Sequence, residues 1–165
     1  MGRKTPGEDA MKDLRKRIRI AVIGGSRPGR QAMDAAFEVG RLIARAGAVV
    51  VCGGLGGVME AASRGAREEG GLVVGILPGA SPADANPWVD VPVATGLGYT
   101  RNALVVMNAD AVIAVDGEYG TLSEIAYGKI HGKKVVGLGT WEVKGVEPAA
   151  SPGEAVRRAL EGLAG

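Results

Sequence analysis

Ala111-Val112-Ile113-Ala114-Val115-Asp116-Gly117-Glu118-Tyr119-Gly120-Thr121-Leu122-Ser123-Glu124 passes from an apolar run through two glycines into a polar segment. The run Ala111 to Val115 is too short for a helix and suits a parallel strand buried on both faces. Thr121 followed three residues later by Glu124 has the spacing of a capping box, so a helix is expected to open at Thr121. Gly117 and Gly120 let the backbone turn sharply, and the first free N–H groups of the helix favour an anion there. A strand, a glycine turn and a helix form the unit of α/β folds. Taken alone, the stretch fits a plain well-capped turn as readily as a phosphate loop.

The same unit occurs twice upstream. Ile18 to Ile23 reads as a strand ending in Gly24-Gly25-Ser26-Arg27-Pro28-Gly29, followed by a helix from about Gln31 to Ala46. In that helix Ala32, Ala35, Ala36, Val39, Leu42, Ile43 and Ala46 share one face at the 3.6-residue period. Ala48 to Cys52 is the next strand, Gly53 to Gly57 the next turn, Val58 to Glu69 the next helix and Leu72 to Leu77 a further strand. A proline-rich loop, 78–87, leads to a short strand at Val91 to Ala94 and a helix over Tyr99 to Asn108. Beyond the opening stretch come a strand at Lys134 to Leu138, a linker around Lys144 to Ala150 and a helix from Pro152 to Leu163. Alternating strands and helices imply a mainly parallel, doubly wound sheet in a Rossmann-like three-layer α/β/α domain. The domain is expected to span residues 18–165, preceded by a polar arm, 1–17, with six basic side chains. In such sheets ligands bind beyond the carboxyl ends of the strands, where strand order reverses. The three glycine turns are therefore expected to converge on one ligand.

Composition agrees. The chain has 165 residues, enough for one domain with its own core, and 28 are glycine although 46% of residues are hydrophobic, so the glycines mark turns rather than disorder. Only six residues are aromatic, which leaves the core to Val, Ile, Leu and Ala. Twenty basic residues stand beside 18 acidic ones, too even a balance to announce a nucleic-acid or membrane surface. A single cysteine, Cys52, rules out an internal disulfide and, with no apolar leader or spanning segment, points to the cytoplasm.

Familiar sites are missing. The first turn lacks the G-x-G-x-x-G dinucleotide fingerprint, and Gly54-Leu55-Gly56 has Met59 in place of the third glycine. Gly24 and Gly29 have P-loop spacing, but Arg30-Gln31 replaces the Lys-Ser/Thr pair. No Gly-x-Ser-x-Gly elbow surrounds Ser26, which reads as a hydroxyl donor to phosphate. Cys52 reads as a small apolar group ending a buried strand, and the lone His131 as a helix-end partner, so no metal site is expected. Arg27, Arg30, Arg101, Glu118 and Glu124 remain as charged candidates around the crevice, and Arg101, near a helix start, is the preferred anion anchor over two arginines that read as surface charges.

From Ile18 to Leu138 the chain resembles the LOG-like, Rossmann-type proteins once called lysine decarboxylase-like. Asp116-Gly117-Glu118-Tyr119-Gly120-Thr121-Leu122-Ser123-Glu124 matches the family's Pro-Gly-Gly-x-Gly-Thr-x-x-Glu loop, and Arg101 in Tyr99-Thr100-Arg101-Asn102 matches its arginine that opens a helix. The Gly53 to Gly57 turn resembles the family's second glycine loop. In the branch that hydrolyses nucleoside 5'-monophosphates, the resemblance makes Arg101 and Glu124 the catalytic pair. Here, however, Asp116 and Glu118 replace the Pro and second Gly of that branch, and Tyr99-Thr100 replaces its His-Glu. The first turn and the Gly-Tyr-Thr-Arg-Asn segment are more similar to the bacterial branch related to molybdenum cofactor carriers.

That resemblance implies a nucleotide or molybdopterin-type ligand bound without turnover. Gly24, Gly25, Ser26, Gly53, Gly54, Gly56, Gly117, Gly120 and Thr121 would then line or support the phosphate site. It also implies a homo-oligomer with a phosphate-bearing small molecule as partner, while the charge balance leaves no nucleic-acid or membrane partner expected. Phosphoribohydrolysis by Arg101 and Glu124 is the alternative.

Overall fold

The computed structural model describes residues 14–163. In chain order the elements are β1 (Arg19–Gly24), α1 (Arg30–Arg45), β2 (Val49–Cys52), α2 (Val58–Glu68), β3 (Val73–Leu77), β4 (Val91–Ala94), α3 (Asn102–Met107), β5 (Ala111–Val115), α4 (Tyr119–Ile130), β6 (Lys134–Leu138), β7 (Val146–Pro148) and α5 (Pro152–Leu160), with 3-10 turns at Pro82–Asp84 and Gly98–Arg101. All seven strands are parallel, in the order β4-β3-β2-β1-β5-β6-β7. This is a three-layer, Rossmann-like α/β fold. Strand order reverses between β1 and β5, which pair from Ile20 with Ala111 to Gly24 with Val115. The topology therefore places the ligand crevice beyond Gly24 and Val115.

Successive strand residues feed opposite layers, as the two-residue period requires. Ile20 and Val22 of β1, Val50 and Cys52 of β2, and Ile113 of β5 pack with Val39 and Ile43 of α1, Ala62 of α2 and Val156 of α5. Ala21 and Ile23, Val51, Val112 and Ala114 face the other way, against Val105 and Val106 of α3 and Ile125 of α4. These strands are apolar throughout because both faces are covered. On the first face α1 and α2 meet backbone to backbone. A Cβ on Gly40 would lie 2.0 Å from the Ala62 carbonyl oxygen, and one on Gly65 would lie 2.0 Å from that of Phe37.

Several elements depart from the sequence reading. Helix α4 begins at Tyr119, not Thr121, and its N-cap is Glu118, without a side-chain cap bond. Thr121 packs its side chain against Gly117, where an added Cβ would meet it at 2.5 Å, and Glu124 is buried, so neither forms the capping box. The 144–150 linker contains β7, which pairs with β6 through Val146, Glu147 and Pro148. A three-residue strand ending in proline is tolerated at a sheet edge but carries little periodic signal. The helix expected over 99–108 is a 3-10 turn followed by the short α3. Of the expected N-terminal arm, residues 1–13 lie outside the described residues, and Leu14 to Lys16 form a helical turn. Among the described residues, no helix is long and apolar enough to cross a membrane.

Gly40→Ala tests the α1–α2 crossing. Helix propensity alone would stabilise such a change by about 1 kcal/mol. The clash with the Ala62 carbonyl reverses the sign, and a net loss of about 1–3 kcal/mol is expected from the urea-unfolding midpoint. Gly153→Ala, whose added Cβ would meet only the Ser151 hydroxyl at 4.0 Å, is the control.

Candidate functional site

The crevice is set by close backbone contacts at the end of β1. A Cβ on Gly24 would sit 2.5 Å from the Val115 carbonyl oxygen and 2.6 Å from Val58, so β1, β5 and the start of α2 meet there as glycine alone allows. Gly57, at φ +69°, brings α2 against the first loop: its Cβ would be 2.3 Å from the Gly25 carbonyl, which instead accepts from Val58 N–H at 3.0 Å. The loop after β5 is held from the β6 side. Asp116 N–H donates to the Leu138 carbonyl (3.1 Å), the Thr140 hydroxyl to the Asp116 carbonyl (2.5 Å), and Trp141 Nε1 to the Glu118 carbonyl (3.2 Å). Between the two loops lies a crevice of about 560 Å³ lined by Gly24, Gly25, Ser26, Leu55, Met59, Tyr99, Arg101, Asn102, Glu118, Tyr119, Gly120, Thr121, Ser123 and Glu124.

Arg101 is only 6% exposed. Its Nε donates to the Ile76 carbonyl (2.8 Å), Nη2 to the Gly53 carbonyl (3.2 Å) and Nη1 to Asn102 Oδ1, so the guanidinium ties the ends of β2 and β3 to the start of α3. Asn102 extends the tie by donating Nδ2 to Ser123 Oγ at 3.1 Å, while that hydroxyl donates to the Gly120 carbonyl at 2.6 Å. Two of the five guanidinium N–H groups are left over from these bonds. Burial pulls the Arg101 pKa down, with the Glu124 charge acting in the opposite sense.

Glu124 is 7% exposed and lines the crevice, and its carboxyl makes no hydrogen bond among the described residues. Burial pushes its carboxyl up to about 8, against the pull of the Arg101 charge. The side chain is therefore largely protonated at neutral pH. An acid with a neutral-range pKa, buried beside a cation and facing a cavity, has the properties of a proton-transfer group or a hydrogen-bond donor to ligand.

The sequence candidates divide by position. Gly24, Gly25, Ser26, Gly120, Thr121, Arg101 and Glu124 line the crevice. Gly53 is buried behind Arg101, and Gly54 packs on Gly75 and Leu77 while its carbonyl accepts from Asn86 N–H at 2.8 Å. Gly56 and Gly117 stand outside the lining, Gly56 near Glu60 and Gly117 behind Thr121. Arg27 and Arg30 are exposed, and Arg30 pairs with Asp34 at 3.9 Å. Cys52 is buried with Sγ 3.5 Å from Ser63 Oγ, and burial raises its thiol pKa, while His131 is the C-cap of α4. Sequence reasoning passed over Asn102, Ser123, Leu55, Met59 and the two tyrosines. Of these, Asn102 beside Arg101 and Tyr119 between the two loop glycines were the readable signals. A second crevice, about 770 Å³, opens between the starts of α1 and α5 beside Asp116, without a buried charged side chain in its lining.

The family model described as the SLOG cluster4 family matches residues 17–159, and the chain belongs to that family. An uncharacterized protein of Archaeoglobus fulgidus is 44% identical over 142 residues, covering 86% of this chain and 93% of that protein. The cytokinin riboside 5'-monophosphate phosphoribohydrolase LOG of Oryza sativa subsp. japonica is 37% identical over 132 residues, covering 73% of this chain; the chain spans 54% of that relative's length. The structure of the molybdenum cofactor binding protein from Rippkaea orientalis superposes with a TM-score of 0.82 at 34% identity, over 86% of this chain and 94% of that one.

Two substitutions separate the roles of the buried charges. An unfolded glutamate ionises near pH 4, whereas folded Glu124 holds its proton to about 8, so its contribution to stability is full below pH 4 and lost as pH rises to 8. Glu124→Gln removes that loss. Its stability relative to wild type should rise between pH 5 and 8, by on the order of 4 kcal/mol if the whole shift is expressed. Unfolding curves at several pH values, with ¹³C titration of the carboxyl, measure this. Arg101→Ala leaves the Ile76 and Gly53 carbonyls without their donor and should cost about 3 kcal/mol in chemical denaturation.

Proposed function

We propose that this SLOG cluster4 family member binds a phosphorylated small molecule, a nucleotide or a molybdopterin-type ligand, without turning it over. One observation carries the reading: at the reversal point of the sheet, the first turn of α4 faces the Gly25–Ser26 loop with no side-chain cap on its N–H groups. Such groups, with the helix dipole behind them, favour a phosphate. Gly25, Ser26, Gly120 and Thr121 supply backbone or hydroxyl donors in this reading. Gly24 and Gly117 permit the close approach of the loops, while Gly53, Gly54 and Gly56 hold the second loop that positions Leu55, Met59 and Arg101. The cavity volume is in the range of small-ligand sites. The likeness to a molybdenum cofactor binding protein favours a pterin-bearing ligand, and Asp116 and Glu118 depart from the Pro and second Gly of the hydrolytic branch's loop.

Glu124 favours a second reading, phosphoribohydrolysis. Water would add its oxygen to the ribose C1' as the C1'–N bond breaks, and its proton would pass to the departing base. In this reading Arg101 orients the phosphoribosyl group through its remaining N–H groups and Glu124 handles the proton.

The readings part on product. Differential scanning fluorimetry with AMP, GMP, ribose 5-phosphate and a pterin phosphate is expected to show stabilisation by at least one of them, with chromatography finding no released base. Ser26→Ala with Thr121→Val should shrink that shift by several-fold. Absence of any shift would overturn the binding reading. Release of adenine or guanine, abolished in Glu124→Gln, would replace it with the hydrolase.

A further inference from the structure

Two tyrosines stand on the rim of the crevice with most of their surface in water: Tyr99 is 84% exposed and Tyr119 79%. The core does not need either ring. Tyr119 is nevertheless held in place. Its ring lies 5.6 Å, centroid to centroid, from that of Trp141 at a tilt of 36°, a spacing within the range of favourable aromatic pairs. Trp141 in turn is anchored by its indole N–H on the carbonyl of Glu118, the residue before Tyr119, and its neighbour Thr140 is anchored on the carbonyl of Asp116. The β6–β7 loop thus fastens at two points to the backbone of the β5–α4 loop and braces one exposed ring. The same wall holds the first turn of α4, so a ligand with its phosphate on those N–H groups lies within reach of the Tyr119 ring. Leu55 and Met59, from the second glycine loop and α2, make the crevice apolar beyond its polar end.

We infer that Tyr119, braced by Trp141, is a stacking platform for a planar nitrogen heteroaromatic ring on the ligand. Ring recognition then selects among phosphate esters that the loop N–H groups bind alike. This rests on the binding reading above and adds to it the side chain that recognises the ligand's ring. A ring already braced has less freedom to lose on binding, which makes it a better platform than a mobile tyrosine.

Isothermal titration of the full chain with AMP, GMP and a pterin phosphate, each compared with ribose 5-phosphate, tests the inference. Stacking predicts that at least one ring-bearing ester binds about ten-fold or more tightly than ribose 5-phosphate. Tyr119→Leu should bring that ratio near one, and Tyr119→Phe should keep it. In a Trp88→Phe background, Trp141 emission should change on adding the ring-bearing ester and not on adding ribose 5-phosphate. Equal affinity for both kinds of ester, or a ratio unaltered in Tyr119→Leu, overturns the platform while leaving phosphate binding intact. A Tyr119→Leu variant that changes sedimentation but not the ratio assigns the ring to subunit contact and also overturns it. Failure of every ester to bind removes the binding reading and this inference with it.

Discussion

The C-terminal end of β1 is the constraint on which the rest of the molecule depends. There the backbone of Gly24 lies against the Val115 carbonyl and the Val58 side chain, and Gly57 lies against the Gly25 carbonyl. These contacts exist because the positions carry no Cβ, and they bring the central strand, its β5 neighbour and the start of α2 to one point. The crevice follows directly. The connection after β1 leaves toward β2 and the one after β5 leaves toward β6, and nothing in a doubly wound sheet covers the gap between them. A similar backbone contact at Gly40 and Gly65 lets α1 and α2 cover their face of the sheet closely. The first loop is thereby fixed from behind by packed helices and faces the crevice in front.

Within that frame, two buried charged residues are treated differently. Removing a guanidinium from water is costly unless its N–H groups find acceptors, and Arg101 finds three, at the ends of β2 and β3 and on Asn102. Its charge thereby becomes part of the scaffold. Among the described residues the Glu124 carboxyl accepts no hydrogen bond, and burial pushes it up to about 8 despite the nearby cation. The two buried charges therefore differ in what they expose: the guanidinium is engaged by backbone carbonyls and Asn102, and the Glu124 carboxyl lines the crevice.

Much of this was legible in the chain. Short apolar runs between glycine turns identify buried parallel strands, and β5, β6 and β4 occupy the residues their sequence pattern indicates. The failures have local causes. Thr121 and Glu124 have capping-box spacing, but the extended conformation of Glu118 starts the helix earlier and rotates both side chains toward the interior. β7 escapes notice because Val-Glu-Pro has no period of its own and becomes a strand by pairing with β6. Ser123 and Asn102 are ordinary polar residues until α3 and α4 meet, when they join the two halves of the site.

By itself the sequence determined the layer order, the strands buried on both faces and the glycine turns at strand ends. Those features are encoded by periodicity and by the steric freedom of glycine, which act over a few neighbouring residues. Tertiary structure alone decided which glycines line the crevice and which merely permit packing, that Arg101 is occupied by backbone carbonyls, that burial pushes the Glu124 carboxyl upward, and that Trp141 braces Tyr119. Each of these depends on burial or on contact between segments distant in the chain, and desolvation and distance have no counterpart in local sequence pattern.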